Sequence, residues 1–323
     1  MQGSQPAGGT SPPTWRTPRA WLPVAFAAAM VAAAQLSGQR AVVFPEGAAL
    51  AFGAWVMWHP QWIVPRWRLV ATPTCCAVAG VGMARLLPAR LAAEVAALAC
   101  ATVVLLVLRS QIAPALSAAT LPTVFGIRSW VYPVAVLAIA TVMVVGVTLQ
   151  ARATPGHPAR AEPSAPGGRW PVSGFLCYAA LAAAWFGAAA ALHLPSVAVA
   201  PPLAVSGLEW FFEHPRSVRV GAGRALLLGL AWAIGSAAVW HLPAVLAAVL
   251  ATSCALVLML TLSLRCAPVL AMALVAQIAG PVRSWTGTAR DAGLIVASVV
   301  VLYLAAAVAA RLWRRRPGSS PGG

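Results

Sequence analysis

The stretch RSQIAPALSAATLPTVFGIRSW (residues 109–130) and its partner RCAPVLAMALVAQIAGPVRSW (residues 265–285) decide how this chain folds. Each is an apolar run between arginines, 18 residues from Arg109 to Arg128 and 17 from Arg265 to Arg283. Each carries a proline near its start, Pro114 or Pro268. A spanning helix needs roughly 20 apolar residues, so each run is long enough either to cross a bilayer or to dip in and return. If both cross, the chain has two six-helix halves of the same orientation. If both re-enter, five crossings per half make the halves inverted.

The two stretches belong to a longer repetition at an offset of about 155 residues. His59-Pro60 returns as His214-Pro215, Leu87-Pro88 as Leu242-Pro243, and Arg128-Ser129-Trp130 as Arg283-Ser284-Trp285. Trp15 and Trp55 return as Trp170 and Trp210. With a slip of one residue, Ala113-Pro114 returns as Ala267-Pro268, Gly126 as Gly280 and Arg68 as Arg224. Matches that hold one offset over most of a chain point to an internal duplication. In membrane proteins, duplicated halves commonly enclose a transport path.

Composition excludes a water-soluble fold. The chain is 61% hydrophobic and 9% charged, with a mean hydropathy of +0.83. A soluble domain carries about a quarter charged residues. The net charge of +16 comes from 22 arginines and no lysine, as in proteins of GC-rich bacterial genomes. These arginines lie between apolar segments, which points to membrane orientation and not to nucleic acid. Six cysteines, Cys75, Cys76, Cys100, Cys177, Cys254 and Cys266, lie in or beside apolar segments without a CxxC pair, and read as small buried residues.

Twelve apolar segments can be drawn, near 20–38, 42–58, 69–86, 91–108, 111–127 and 130–149, then 174–194, 197–213, 220–240, 243–263, 266–281 and 292–311. They imply an all-α polytopic membrane protein of two parallel six-helix repeats, residues 20–149 and 172–312. Residues 1–19 read as a disordered tail, 150–171 as a flexible cytoplasmic linker with five prolines, and 313–323 as a basic tail. The first apolar stretch lacks a small-residue cleavage pattern, so a retained helix is expected.

Arginine placement arbitrates between the two topologies. With twelve crossings and a cytoplasmic N-terminus, 15 arginines fall inside and six outside: Arg40, Arg85, Arg90, Arg128, Arg283 and Arg290. With re-entrant fifth segments the split is 10 and 11, which is no bias. The positive-inside rule therefore favours twelve crossings with both termini cytoplasmic. Trp58, Trp62, Trp67, Trp130, Trp240, Trp285 and Trp313 cluster at segment ends, as an interfacial belt does.

No soluble-enzyme motif is present: no HExxH, GxSxG, Walker-type loop or carboxylate pair, and no two histidines at metal-ligand spacing. His59 and His214 read as interfacial turns. The six acidic residues stand out by their rarity. Glu162 falls in the linker, Asp291 in a loop, Glu213 at a helix end, and Glu94 one turn after Arg90, as an ion pair would be. Glu46 and Glu209 lie within apolar runs, where a charge costs about 2.5–3.5 kcal/mol at the bilayer centre. Arg224, inside its own segment, is the natural partner of Glu209, and Arg68 is its counterpart by repeat. The Glu209–Arg224 pair reads either as a structural buried pair or as a pathway or gating pair. Glu46 reads either as interfacial or as pathway-facing. The fifth segments add Gln111, Pro114, Pro268 and Gln277, since short proline-interrupted segments at matching positions mark transport sites.

Taken together, these residues resemble the HPP family of bacterial and plastid membrane proteins. Ala200-Pro201-Pro202, His214-Pro215-Arg216-Ser217-Val218, the stretch from Gly221 to Gly235, and the Met259–Arg265 run into Ala267-Pro268 follow that family's order. Phe44-Pro45, His59-Pro60, Arg109 and Ala113-Pro114-Ala115 match in the first half. Ile112-Ala113-Pro114 and Cys266-Ala267-Pro268 stand where the family has His-Pro-Pro. The resemblance implies two tandem copies and a small-anion substrate, since family members are linked to nitrite movement. The layout is also similar to six-helix aromatic-acid exporter domains.

The expected function is a permease for a small solute, such as a small anion like nitrite, moving between the halves. The alternatives are an exporter of aromatic or amphipathic compounds, or a membrane scaffold that transports nothing. A permease requires a polar cavity where the halves meet; a scaffold requires a dry Ala/Gly interface. No enzymatic activity, metal or cofactor is expected. The expected partners are the lipid bilayer of a bacterial inner membrane and a small solute, without nucleic acid; a homo-oligomer is compatible with the sequence.

Overall fold

The computed structural model describes residues 14–63, 65–160, 171–213, 217–280 and 282–314. The first thirteen residues, linker residues 161–170 with Glu162, the His214-Pro215 step and the basic tail from residue 315 lie outside the described residues. In chain order the helices are α1 (Leu22–Ser37), α2 (Glu46–Ala51), α3 (Pro60–Ile63), α4 (Arg66–Leu86), α5 (Arg90–Val107), α6 (Pro114–Phe125) and α7 (Val131–Ala153). They continue as α8 (Val172–Ala191), α9 (Pro201–Glu213), α10 (Val218–His241), α11 (Ala244–Thr261), α12 (Pro268–Ala279) and α13 (Trp285–Arg314). A π turn, Phe52–Val56, prolongs α2. No β-strand occurs among the described residues.

The chain is therefore an all-helical membrane protein. Among the described residues, eight helices are long and apolar enough to cross a bilayer: α1, α4, α5, α7, α8, α10, α11 and α13. The twelve segments drawn from the sequence resolve into these eight and four short ones. The fifth segments, α6 and α12, are short, as their spacing implied. The second segments, drawn as ordinary spans over 42–58 and 197–213, are short as well. Proline explains where each short helix begins. Pro45, Pro114, Pro201 and Pro268 sit at the four starts, where a ring without an N–H suits the first turn but blocks extension backwards. The linker also differs from expectation. Helix α7 continues to Ala153, and residues 154–160 fold back so that His157 is buried against Trp58.

The helix contacts pair off at the offset of about 155 residues. Helix α1 lies on α11, and its counterpart α8 lies on α5. Helix α2 meets α12, and its counterpart α9 meets α6. Helix α4 holds α5, α6 and α7, as α10 holds α11, α12 and α13. Left-handed backbone recurs at matching helix ends, at Gly38 (φ 66°) and His193 (φ 52°), and at Arg109 (φ 49°) and Ser263 (φ 53°). The four short helices form the centre. Residues 46–56, 114–124, 201–208 and 268–276 are buried throughout. The long helices surround them and turn residues such as Leu36, Val107, Val134 and Leu226 outward.

Let the proximal end be the one where α1 begins. Residues 38–45 run back from the distal end of α1 with only a 3-10 turn at Arg40–Val42, and Gly47 then meets Phe26 and Met30. Trp55 meets Phe26 edge-on at 5.5 Å, and Trp58 lies under the Arg19 guanidinium at 4.4 Å. The second segment thus follows α1 back to its start. In the second half, Trp185 of α8 meets Ala198, Tyr178 meets Ala204, and Phe175 meets Phe212. Aromatic side chains tie the short elements to their neighbours by donating to backbone carbonyls, among them Ala198 in a 3-10 turn and Ala118, which Pro122 leaves without its helical donor. The Trp185 indole donates to the Ala198 carbonyl at 3.1 Å, and the Tyr178 hydroxyl donates to the Ala204 carbonyl. The Trp55 indole donates to the Met143 carbonyl at 3.1 Å, and the Tyr132 hydroxyl to the Ala118 carbonyl at 3.2 Å.

Candidate functional site

Where the short helices end proximally, they leave a cavity of about 350 Å³. The first half contributes Phe52, Gly53, Met57, His59, Trp62, Gln111 and Ala113 to its walls, and the second half contributes Glu209, Phe212, Arg265 and Ala267. The cavity therefore lies between the two repeated stretches, at the exits of both second segments and the entrances of both fifth segments.

The local chain explains how it is built. Helix α5 stops at Val107, and Arg109 takes a left-handed conformation. Ser110–Ala113 then passes without helix into Pro114. Ser263 plays the same part before Leu264–Ala267 and Pro268. These entry loops place Gln111 and Arg265 at equivalent positions, 154 residues apart, with carbonyls that α6 and α12 cannot use. The Trp62 indole donates to the Gln111 carbonyl at 3.2 Å. The Arg224 guanidinium donates to the Arg265 carbonyl at 3.0 Å. One entry loop is tied by a neutral ring and the other by a buried cation, so similar backbones carry different electrostatics.

Glu209 and Arg224 share a neighbour in Tyr303, whose hydroxyl lies within electrostatic reach of both. It shares a hydrogen bond with Ser206. The Tyr303 ring stacks on Trp210 at 4.5 Å and 10°. The Arg224 guanidinium lies 5.8 Å from the Trp210 ring centre and is 8% exposed. Glu209 reaches the cavity directly, while Arg224 braces its wall through Arg265. Desolvation strengthens such interactions and makes each one costly to break.

The other candidates separate. Gln111 lines this cavity and also a second one of about 150 Å³ with Leu105, Leu106, Arg109, Ser110, Val172 and Phe175, where α5 meets α8. Pro114 and Pro268 are buried one residue beyond the cavity-lining Ala113 and Ala267. Glu46 is 1% exposed at the inner end of its short helix. Arg68 lies over Trp67 at 5.5 Å at the start of α4 and is not among the lining residues. Gln277 lies near the far end of α12, where its amide donates to the Ala244 carbonyl at 3.0 Å, so it ties α12 to α11. Of the hydroxyls in the first fifth segment, Thr120 and Thr123 turn back onto their own helix. Glu94 accepts from Arg90 at 2.7 Å.

Sequence reasoning missed several residues. His59, read as an interfacial turn, stacks on Trp62 at 5.1 Å and lines the cavity. Trp62, read as an interfacial anchor, is 6% exposed and covers Gly53 so closely that a Cβ there would strike its ring. The repeated His-Pro step was the available signal for both. Ser206 and Tyr303 had none, because lone hydroxyls in apolar runs are common. Among the described residues, no group of three or more His, Cys, Asp or Glu is placed to hold a metal ion. None of the six cysteines forms a disulfide among the described residues; Cys76 and Cys266 are buried and Cys75 is exposed. No protein-family model matches the chain, and no curated protein or solved structure is similar to it.

Proposed function

We propose that the protein is a permease that moves a small solute, with small anions such as nitrite as the first class to test, along the junction of two homologous halves. The observation that carries this reading is the cavity between the halves, with Glu209, Arg265 and Gln111 in its walls. A scaffold would fill that junction with small apolar side chains. Arg265 at the mouth and Arg224 behind it give an anion favourable charge in a partly dry site.

In this reading all twelve segments traverse the bilayer, six per half, and the halves are parallel. What supports it is the return of each second segment along the first helix of its half, from Met30 to Arg19 and from Trp185 to Phe175. The fifth segments run from the cavity to the distal end, where Arg85 donates to the Arg128 carbonyl at 3.2 Å. The proximal end carries Arg16, Arg19, Arg66, Arg68, Arg109, Arg152, Arg219 and Arg265, and the positive-inside rule supports reading it as the cytoplasmic face. The cavity is then the inward-open end of the path.

Purified protein in proteoliposomes, given a gradient of nitrite, nitrate, formate or acetate, tests the reading. Flux of at least one anion above protein-free vesicles is expected, and no flux across the panel rejects it. One observation favours a second substrate class. The smaller cavity between α5 and α8 shares Gln111 with the main one and is bordered by Arg109, which is a lateral route suited to an amphipathic acid. Efflux of an aromatic carboxylate, with no movement of inorganic anions, would select that class.

A further inference from the structure

Three acidic residues are nearly or fully buried among the described residues: Glu46, Glu94 and Asp291. Two of them have a cation in contact, Glu94 with Arg90 at 2.7 Å and Asp291 with Arg290 at 3.1 Å. Glu46 has none. Its polar neighbour is the Ser117 hydroxyl, which can donate to the carboxyl but carries no charge to offset it. Both residues are at most 1% exposed.

The elements around Glu46 supply no counter-charge. Helix α2 packs against α1, α6, α7 and α12. Helices α1, α6 and α12 contain no ionisable side chain, and α7 carries Tyr132 beside the carboxyl and Arg152 at its opposite, proximal end. Cys76 of α4 lies next to Tyr132. A carboxyl left uncompensated in an apolar interior has one inexpensive way to shed its charge, which is to bind a proton.

Its position ties it to the cavity. Glu46 precedes the cavity-lining Gly53 by seven residues, two helical turns, so both lie on one face about 10 Å apart along the axis. Ser117 follows the cavity-lining Ala113 by four residues, one turn deeper on the same face of α6. The pair thus sits directly behind two walls of the cavity, at the contact of α2 with α6.

We propose that Glu46 is a proton-carrying group. It accepts a proton from water in the proximal cavity while the path is open there, and returns it to water on the distal side when the path opens the other way. Ser117 is its positioning residue. The proposal rests on the permease reading for its link to transport, and the proton exchange itself can be tested without it.

The first measurement is a pH-jump infrared difference spectrum of the full chain in lipid nanodiscs. A protonated-carboxyl C=O band is expected in the wild type and in Glu209→Gln and absent in Glu46→Gln. Identical carboxyl spectra in wild type and Glu46→Gln overturn the proposal. Ser117→Ala keeps the carboxyl in place and is expected to shift the midpoint of that band, whereas an unchanged titration overturns the role given to Ser117. The second measurement uses nitrate-loaded proteoliposomes with an entrapped pH dye. Wild-type nitrate flux is expected to carry protons, and Glu46→Gln to pass nitrate with at least tenfold less proton movement. Undiminished proton movement in Glu46→Gln overturns the coupling. A wild type that moves no anion rejects the permease reading, while the infrared arm still decides whether Glu46 exchanges a proton.

Discussion

A single methyl group added at Gly80 is expected to force α4 away from α6, and the same change at Gly235 to force α10 away from α12. A Cβ at Gly80 would lie 2.8 Å from the carbonyl carbon of Ala119 and 2.9 Å from its Cα, and nearer still to its oxygen. At Gly235 it would lie 3.1 Å from the carbonyl carbon of Ala273, again with the oxygen closer. Carbon atoms settle at about 3.5–4.0 Å, so each seam must open by roughly 0.5–1 Å. The obstacle is backbone, which has no rotamer to change. Overpacking of this kind costs about 1–3 kcal/mol, and the alanine returns only about 0.5–1 kcal/mol of helix propensity. Gly82 is the internal control. It lies two residues further along α4, and a Cβ there meets nothing within 4 Å, so Gly82→Ala keeps the propensity gain of about 0.5–1 kcal/mol without the clash. Both variants gain the same propensity, so they differ by the overpacking cost of about 1–3 kcal/mol, or about 2–6 °C in melting temperature at roughly 2 °C per kcal/mol. A thiol-reactive dye reads the transition in nanodiscs through the buried Cys76 and Cys266, with exposed Cys75 setting the baseline. Equal melting temperatures for Gly80→Ala and Gly82→Ala would refute the close seam, and with it the placement of the fifth segment.

Other perturbations reach the cavity. Glu209→Gln and Arg224→Ala are each expected to abolish anion uptake while leaving membrane insertion and yield intact; normal uptake in either variant removes that residue from the path. Gly53→Ala should push the Trp62 ring into the cavity and weaken the protein by about 1–3 kcal/mol, and most of that loss should vanish in a Trp62→Ala background. If Gly53→Ala lowers the melting temperature as much in a Trp62→Ala background as in the wild type, Trp62 does not cover Gly53. A reporter fused within residues 161–170 should read cytoplasm, and a tag in the 87–89 turn should read the opposite side. A periplasmic signal from the linker would restore the inverted repeat.

Much of the architecture was legible because it rests on local chemistry. Apolar runs, arginine-flanked ends and Pro114 and Pro268 mark the long helices and the short fifth segments without any knowledge of packing. The short second segments were not legible. Their composition matches a spanning helix, and Pro45 and Pro201 alone do not distinguish a helix that starts late from one that starts at a bilayer surface. What decides it is tertiary: Trp185 and Tyr178 bond the carbonyls of Ala198 and Ala204 and so tie the approach to α9 and its first turn to α8. Glu209 and Arg224 were visible as rare charges in apolar runs, but their shared neighbour Tyr303 lies 94 and 79 residues further along the chain, respectively. Gln277 shows the limit of reading polarity alone, since an amide in an apolar helix can serve a neighbouring helix end as well as a substrate.

The repeat also separates what the two halves share from what they do not. Positions that recur are structural: Gly80 and Gly235 at the seams, Arg109 and Ser263 at the left-handed helix ends, Pro114 and Pro268 at the entries. Arg68 and Arg128 return as Arg224 and Arg283, but the charges that line the cavity, and Glu46 behind its wall, do not recur in this way. Glu46 stands where the second half has Pro201, Glu209 where the first has Ala54, and Arg265 where the first has Gln111. A duplicated scaffold with identical chemistry on both walls would present a symmetric path, in which every group has an equal opposite at the same depth. Here the second half supplies both charges at the mouth, Glu209 and Arg265, and the first half supplies the uncompensated carboxyl deeper in. An anion entering from the cytoplasm would meet the positive charge of Arg265 first and the Glu46 carboxyl second. It could pass the latter at low cost only while that group is neutral, because a second negative charge in a dry site is strongly repelled. Loss of symmetry between the halves is thus what would let proton occupancy of one residue govern passage along the shared axis.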